Sequence, residues 1–147
     1  MISYVAVFIG GGTGALARYV LTLGGKHMVE QLVSTLRLST GAARFLTANA
    51  IAFSTLVINL IGCFAIGLAF GAFERRLPSP ELRLFVMTGF LGGFTTFSTF
   101  ALEFSTALRI GRPGSALIIA LISNLGGIAL VMVGSALGDR IVKSALN

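Results

Sequence analysis

Residues 89–100 read Gly-Phe-Leu-Gly-Gly-Phe-Thr-Thr-Phe-Ser-Thr-Phe, within an apolar segment, 84–107, that is long enough to cross a bilayer. These twelve residues hold three glycines and four hydroxyl side chains, a composition that predicts an interrupted helix. Backbone that leaves helical pairing at membrane depth is tolerated only where it is buried in protein or lines a cavity. We therefore expect the helix to break in mid-membrane at Gly92-Gly93, with an ion or a pore satisfying the freed carbonyl groups.

The composition is that of an integral membrane protein. Of the 147 residues, 55% are hydrophobic and 11% are charged, whereas soluble domains carry roughly 25% charged residues. Four apolar segments meet or approach the ~20 residues that a transmembrane helix needs: about 2–23, 45–73, 84–107 and 114–138. We predict a single all-α membrane domain, 1–147, with four transmembrane helices and no separate soluble part.

The net charge of +6 comes from basic residues that flank the apolar segments, so membrane headgroups explain it better than nucleic acid does. Both termini lie on one side of a four-helix chain. That side carries five Lys/Arg residues, and the other carries five, or six with Arg18. Because Lys/Arg bias normally sets orientation, this balance permits insertion both ways and an antiparallel dimer. A weakly biased single topology fits the count equally well.

The N-terminal part contains a sequence similar to a signal-peptide cleavage site and, after the first apolar segment, a long connection. Ala15-Leu16-Ala17 resembles a signal-peptidase site, but no basic residue precedes the apolar run and glycines interrupt it, so we expect a retained first helix. In the connection 24–44, apolar residues recur at helical spacing, which predicts a short helix lying at the membrane interface: Met28, Val29, Leu32, Val33 and Leu36.

Glycine pairs at i, i+4 spacing predict close helix packing. Gly10/Gly14, Gly67/Gly71 and Gly134/Gly138 all have this spacing. Small residues let helix backbones approach where lipid supplies no hydrophobic drive. The sequence therefore predicts a compact bundle with little room for a large substrate.

Enzymatic activity is not expected. His27 is the only histidine and lies in a connection, so neither a histidine-centred catalytic site nor a histidine-rich metal site can be built. Cys63 is the only cysteine, which excludes an internal disulfide.

Several polar residues fall within the apolar segments, where they are functional candidates by default. Asn59 and the pair Ser123-Asn124 lie in the second and fourth segments, and an interhelical hydrogen bond of ~0.6 kcal/mol explains them equally well. Glu103 is expected to cap freed backbone or to pair with an arginine. Arg18 is expected to reach toward the interface, although a cation near a pore mouth would also gather anions.

Two phenylalanines follow the predicted break. Phe97 and Phe100 are spaced i, i+3 and share a face if the helix resumes there. Aromatic rings have positive edges, so two rings that present their edges to a pore would attract a small anion without a buried formal charge. Without a neighbouring break, packing would be the better explanation for both rings.

Three stretches resemble the signature sequences of the CrcB/Fluc fluoride channel family, in the same order and with the same four-segment layout. They are Gly14-Ala-Leu-Ala-Arg18-Tyr19, Leu56-Val-Ile-Asn59-Leu-Ile-Gly62 and the segment 89–100 quoted above. The resemblance implies a multi-pass protein of the bacterial inner membrane that lets fluoride leave the cytoplasm passively and so gives fluoride resistance. It also implies a dual-topology homodimer, in which a chain pairs with an inverted copy of itself to form two pores.

The resemblance further implies roles for individual residues. A structural sodium ion at the dimer centre would be held by the backbone carbonyls of Gly92 and Thr95. The residues that match the family's fluoride pore are Phe97, Phe100, Asn59, Ser98, Thr99, Ser123 and Arg18. The fourth segment departs from the family pattern, because it has no tyrosine and Ser123 is the best counterpart of the family's polar track.

Two other kinds of membrane protein fit parts of the sequence. A small multidrug-type antiporter is also a four-helix, dual-topology dimer, but proton-coupled exchange needs a membrane-embedded carboxylate, ideally in the first segment. That segment has none, and Glu103 is poorly placed. A non-transporting membrane subunit would use the same polar residues only for packing. Fluoride efflux from reconstituted vesicles distinguishes these three functions.

Overall fold

The computed structural model describes residues 1–146, which form an all-helical bundle without strands. Four helical stretches are long and apolar enough to cross a membrane, in agreement with the four predicted segments: Ile2–Thr35, Ala50–Arg76, Pro80–Arg109 and Pro113–Leu146. The protein is therefore a multi-pass membrane protein.

Shorter helices make up the last two of these stretches. Two π-helical segments, Leu84–Leu91 and Ile122–Gly126, continue α-helices without a turn between them. In chain order, the α-helices among residues 1–146 are α1 (Ile2–Thr35), α2 (Thr40–Ala48), α3 (Ala50–Arg76), α4 (Pro80–Arg83), α5 (Gly92–Phe94), α6 (Phe97–Arg109), α7 (Pro113–Leu121) and α8 (Gly127–Leu146).

The N-terminal connection differs from its prediction. No separate interfacial helix forms after residue 23, because α1 continues unbroken to Thr35 and the short helix α2 begins only at Thr40. Lys26 and Glu30, one turn apart, pair at 4.0 Å on the exposed surface of the extension. Gly25 lets α1 pass close to Ser54 of α3, so the glycines there serve packing instead of ending the helix. At 34 residues, α1 is about 51 Å long and exceeds the ~30 Å hydrocarbon core.

The predicted glycine contacts are confirmed. A Cβ atom at Gly67 would overlap the backbone of Val131 in α8, and one at Gly134 would overlap the backbone of Phe64 in α3. Gly10 and Gly14 of α1 lie equally close to the backbone of the third stretch, around Phe90. Backbone-to-backbone contact thus joins α3 to α8 and α1 to the third stretch.

The turns between the long stretches follow their sequences. α3 ends at Arg76, and Leu77 takes the left-handed conformation (φ 45°). The Ser79 hydroxyl then accepts from the backbone N–H of Leu82, and Pro80 occupies the first turn of α4, which is a favourable helix start. Pro113 begins α7 in the same way.

Candidate functional site

The third stretch loses its helical backbone at two threonines. α5 ends at Phe94, and both Thr95 (φ −85°, ψ 160°) and Thr96 (φ −149°, ψ 119°) are extended before α6 begins. Gly92 and Gly93, where the sequence predicted the break, are helical. A Cβ atom at Gly93 would meet the backbone of Gly11. The predicted position was wrong because this glycine serves close contact with α1.

Side chains satisfy the backbone of Thr96 in place of a helix. The Asn59 amide of α3 donates from Nδ2 to the Thr96 carbonyl oxygen over 3.1 Å. Its Oδ1 accepts from the Thr96 N–H over 2.9 Å. The Thr96 hydroxyl oxygen in turn accepts from the Thr99 N–H over 3.2 Å and forms the N-cap of α6. The extended segment is therefore held from α3 and from its own chain.

Arg18 points inward from α1. Its Nε donates to the Gly93 carbonyl oxygen over 3.3 Å, and its side chain is half-buried. The interpretation that this side chain reaches toward the membrane interface is therefore wrong. The guanidinium supplies a positive charge and a hydrogen bond to the carbonyl end of α5.

Three carbonyl groups around the extended threonines have no donor. Among residues 1–146, no hydrogen bond reaches the carbonyl oxygen of Phe94 or those of the two residues that the sequence analysis named, Gly92 and Thr95. Gly92 is exposed, and a Cβ atom there would meet nothing closer than the Met87 oxygen at 3.7 Å. Hard cations prefer oxygen ligands, including backbone carbonyls. The Gly92 and Thr95 oxygens are suited to share a cation with ligands from outside the single chain.

A cavity of about 320 Å³ lies beside the extended threonines. It brings together six of the nine residues that the sequence proposed for the site, from the second, third and fourth stretches: Asn59, Gly92, Thr95, Phe97, Phe100 and Ser123. Cys63, Thr96 and Asn124 also line it. The cavity is mostly apolar, with a few polar groups near Thr96.

The two aromatic rings form a tilted pair at one side of this cavity. The centroids of Phe97 and Phe100 are 5.8 Å apart, with an angle of 46° between the ring planes. The side chain of Phe97 is 77% exposed in the single chain. An exposed ring at a cavity wall is available to an ion or to a second copy of the chain.

A smaller cavity of about 120 Å³ lies on the other side of Thr96. Arg18 and Thr99 line this second cavity, together with Thr22 and Thr55, so it is rich in hydroxyl groups. Ser98 lines neither of the two cavities, and its hydroxyl lies 3.4 Å from that of Thr96. Eight of the nine proposed site residues thus line one or the other of two cavities, and Thr96 lines both.

The fourth stretch contributes two polar side chains that behave differently. The Ser123 hydroxyl is buried and has no hydrogen-bond partner among residues 1–146. Asn124 donates to the Ala120 carbonyl oxygen of its own stretch over 2.8 Å. Ser123 therefore keeps a free donor at the cavity, whereas one donor of Asn124 is already used.

Sequence reasoning missed two features of the site. Thr55 donates to the Glu103 carboxylate over 2.7 Å, whereas an arginine or freed backbone had been expected as the partner. The interhelical hydrogen bond considered for Asn59 is confirmed, but its partner, the backbone of Thr96, was not predicted, since the residues are distant in sequence. The capping role of Thr96 had a local signal, because threonine before the first turn is a common N-cap.

Comparison with known proteins gives a consistent result. Residues 5–135 match the family described as CrcB-like protein, Camphor Resistance (CrcB). A protein of Burkholderia thailandensis named fluoride-specific ion channel FluC is 40% identical over 134 residues, which cover 90% of this chain and 89% of that protein. Proteins of the same name from Burkholderia pseudomallei and Solibacter usitatus are 39% and 41% identical, over 90% and 93% of this chain and 89% and 98% of their own lengths. The match extends over nearly the whole sequence, and the chain belongs to the CrcB family.

Proposed function

We propose that this protein is a fluoride-specific channel of the bacterial cell membrane, through which fluoride leaves the cytoplasm passively. The observation that carries the proposal is the cavity in which Phe97 and Phe100 lie beside the extended threonines. The names of the relatives, fluoride-specific ion channel, support the same function. Passive efflux of this kind would give the cell fluoride resistance.

The groups around the cavity suit a small, strongly hydrated anion. A selective pore must replace the water of the ion with several donors while binding it weakly enough for release. Ser123 offers an unpaired hydroxyl there, and Phe97, the first residue of the 13-residue helix α6, lines the same cavity. Helix N-termini favour anions. Ring edges and the Arg18 charge would add positive potential at the cavity. A buried lysine would hold the ion too tightly for release, and this arrangement does not need one.

The assembly we propose is an antiparallel homodimer with a structural sodium ion at its centre. The third helix would break in mid-membrane, and the free Gly92 and Thr95 carbonyls of each copy would bind the sodium on the two-fold axis. Interrupted transmembrane helices use such carbonyl ends for cations and helix N-termini for anions. The balance of Lys and Arg between the two sides supports insertion in both orientations.

The test is fluoride efflux from proteoliposomes, measured with a fluoride electrode. Phe97→Ile removes the ring at the cavity wall, and we expect the rate to fall at least about tenfold, equal to ~1.4 kcal/mol of lost ion stabilisation. Phe70→Ile is the matched control, because Phe70 is also exposed but lies near the far end of α3. We expect its rate to equal that of the wild type.

Three results would contradict the channel. Equal efflux rates for chloride and fluoride would show that the protein does not select fluoride. Proton-driven export of organic cations without fluoride flux would indicate an antiporter, in which the carboxylate of Glu103 would become the first candidate. A purified protein that conducts no ion would indicate a non-transporting subunit.

A further inference from the structure

Five successive carbonyl groups, from Gly92 to Thr96, divide into two that are bonded and three that are free. Arg18 occupies the Gly93 oxygen and Asn59 occupies the Thr96 oxygen. The oxygens of Gly92, Phe94 and Thr95 accept no hydrogen bond among residues 1–146. The Thr95 carbonyl differs from the other two, because the N–H of its own peptide unit, at Thr96, is bonded to Asn59.

We infer that Asn59 is a positioning residue for the sodium site, because it sets the direction of the Thr95 carbonyl. The inference rests on the proposed function, which includes that sodium ion. It adds a role to the one proposed for Asn59 at the fluoride pore, and the two roles are separable by experiment.

The argument depends on peptide geometry. The Thr95 carbonyl and the Thr96 N–H belong to one planar trans peptide unit, so they point in opposite directions. Asn59 Oδ1 accepts from that N–H over 2.9 Å. The Thr95 oxygen is therefore held facing away from Asn59, and it cannot rotate without breaking this bond.

The second bond of Asn59 makes the arrangement stiffer. Its Nδ2 donates to the Thr96 carbonyl oxygen over 3.1 Å, so two successive peptide units are fixed by one side chain. Leaving a buried backbone group without a partner costs about 1–3 kcal/mol. Without the amide, the peptide at Thr95 would turn to find another partner, and the Thr95 oxygen would leave its position.

The residue type fits this role. An asparagine amide carries both a donor and an acceptor at fixed separation, which matches the carbonyl and N–H of one residue in extended conformation. Leucine has nearly the same size and neither group. Aspartate keeps the acceptor but places a negative oxygen against the Thr96 carbonyl.

The experiment measures sodium affinity through thermal stability. The purified protein is melted at increasing sodium chloride, with N-methyl-D-glucamine chloride keeping the ionic strength constant, and the midpoint of the rise in Tm is compared between variants. For Asn59→Leu we expect a midpoint about 10–100 times higher, the usual effect of removing a group that orients a metal ligand. A pore residue without this role would leave the midpoint unchanged.

Asn49→Leu is the matched control. It is the same substitution at a residue that lines neither cavity and whose amide donates to the Phe45 carbonyl oxygen over 2.6 Å. We expect its sodium midpoint to equal that of the wild type. A rise as large as that of Asn59→Leu would overturn the inference, because the effect would then not depend on the two hydrogen bonds between Asn59 and Thr96.

The remaining outcomes separate this inference from the proposed function. If the Tm of the wild type does not depend on sodium concentration, the protein has no sodium site of the proposed kind. If the Tm of the wild type depends on sodium and Asn59→Leu has the same midpoint, only the role of Asn59 is overturned. If Asn59→Leu cannot be purified, Asn59→Asp retains one of the two bonds, and we expect a smaller rise in the midpoint. An unchanged or lower midpoint in that variant overturns the inference.

Discussion

Two helix interfaces of this protein are both packed through glycines, but only one of them involves a helix that is interrupted. Glycines bring α3 against α8, and glycines bring α1 against the third stretch. α3 nevertheless remains one continuous helix from Ala50 to Arg76. The third stretch contains a π-helical segment and then two extended threonines.

Close backbone contact therefore does not by itself break a helix. The helix ends where side chains are available to satisfy the backbone, as Asn59 and the Thr96 hydroxyl do. The α3–α8 interface holds the bundle together, and the other interface carries the candidate site. The following predictions test this division of roles.

The largest expected effect is on the packing interface. A Cβ atom at Gly71 would overlap the carbonyl oxygen of Ser135, which is backbone and cannot move aside. Gly71→Ala should lower the free energy of unfolding by about 3 kcal/mol, at the upper end for overpacking. Thermal unfolding in detergent measures this loss.

Gly12→Ala is the control for that substitution. No atom lies within 4 Å of a Cβ at Gly12, which lies inside α1, in its first third. Because alanine is favoured over glycine in a helix by about 1 kcal/mol, this variant should be at least as stable as the wild type. Equal stability of the two variants would show that glycine contact does not hold α3 against α8.

A smaller effect is expected at the start of α6. Thr96→Val keeps the size of the side chain but removes the oxygen that accepts from Thr99, and the loss of an N-cap costs about 1 kcal/mol. Because this turn carries Phe97, we expect the fluoride efflux rate to fall as well. Thr96→Ser keeps the oxygen and should restore both the Tm and the rate.

Thr106→Val is the matched control, since the Thr106 hydroxyl bonds only within α6, to the Leu102 carbonyl oxygen at 2.8 Å. Its Tm and efflux rate should be close to those of the wild type. If Thr96→Val behaved in the same way, the hydroxyl would have no role in restarting the helix.

The smallest change in stability is expected at Ser123, and it has the opposite sign. The Ser123 hydroxyl is buried without a partner, so Ser123→Ala removes a desolvation penalty and should raise stability by up to about 1 kcal/mol. The same change removes a donor from the cavity, and the fluoride efflux rate should fall.

Ser54→Ala is the comparison for that result. The Ser54 hydroxyl is buried but donates to the Ala50 carbonyl oxygen over 2.8 Å, so its removal should lower stability and leave efflux unchanged. A Ser123→Ala variant that loses both stability and efflux would show that its hydroxyl is a structural group.

The sequence predicted well those features that depend on local pattern. The four crossings follow from apolar length, and the glycine contacts follow from i, i+4 spacing, as at Gly67 and Gly71. Each of these signals lies within a few residues and does not depend on the rest of the fold.

The wrong predictions concern residues whose environment comes from another helix. Gly93 was expected to break the helix, but it faces the backbone of Gly11 and stays helical. Arg18 was expected at the interface, but it bonds to the third stretch. The separate helix expected after residue 23 is instead part of α1, where Gly25 packs against Ser54.

The sequence by itself determined the number of membrane crossings, the helices that approach closely and the segment in which the site would form. The tertiary structure decided which backbone groups of that segment are satisfied and which are free. The reason is distance along the chain: the partners of Gly93 and Thr96 are Arg18, 75 residues away, and Asn59, 37 residues away. A local pattern cannot specify such bonds, because they exist only when three helices pack together.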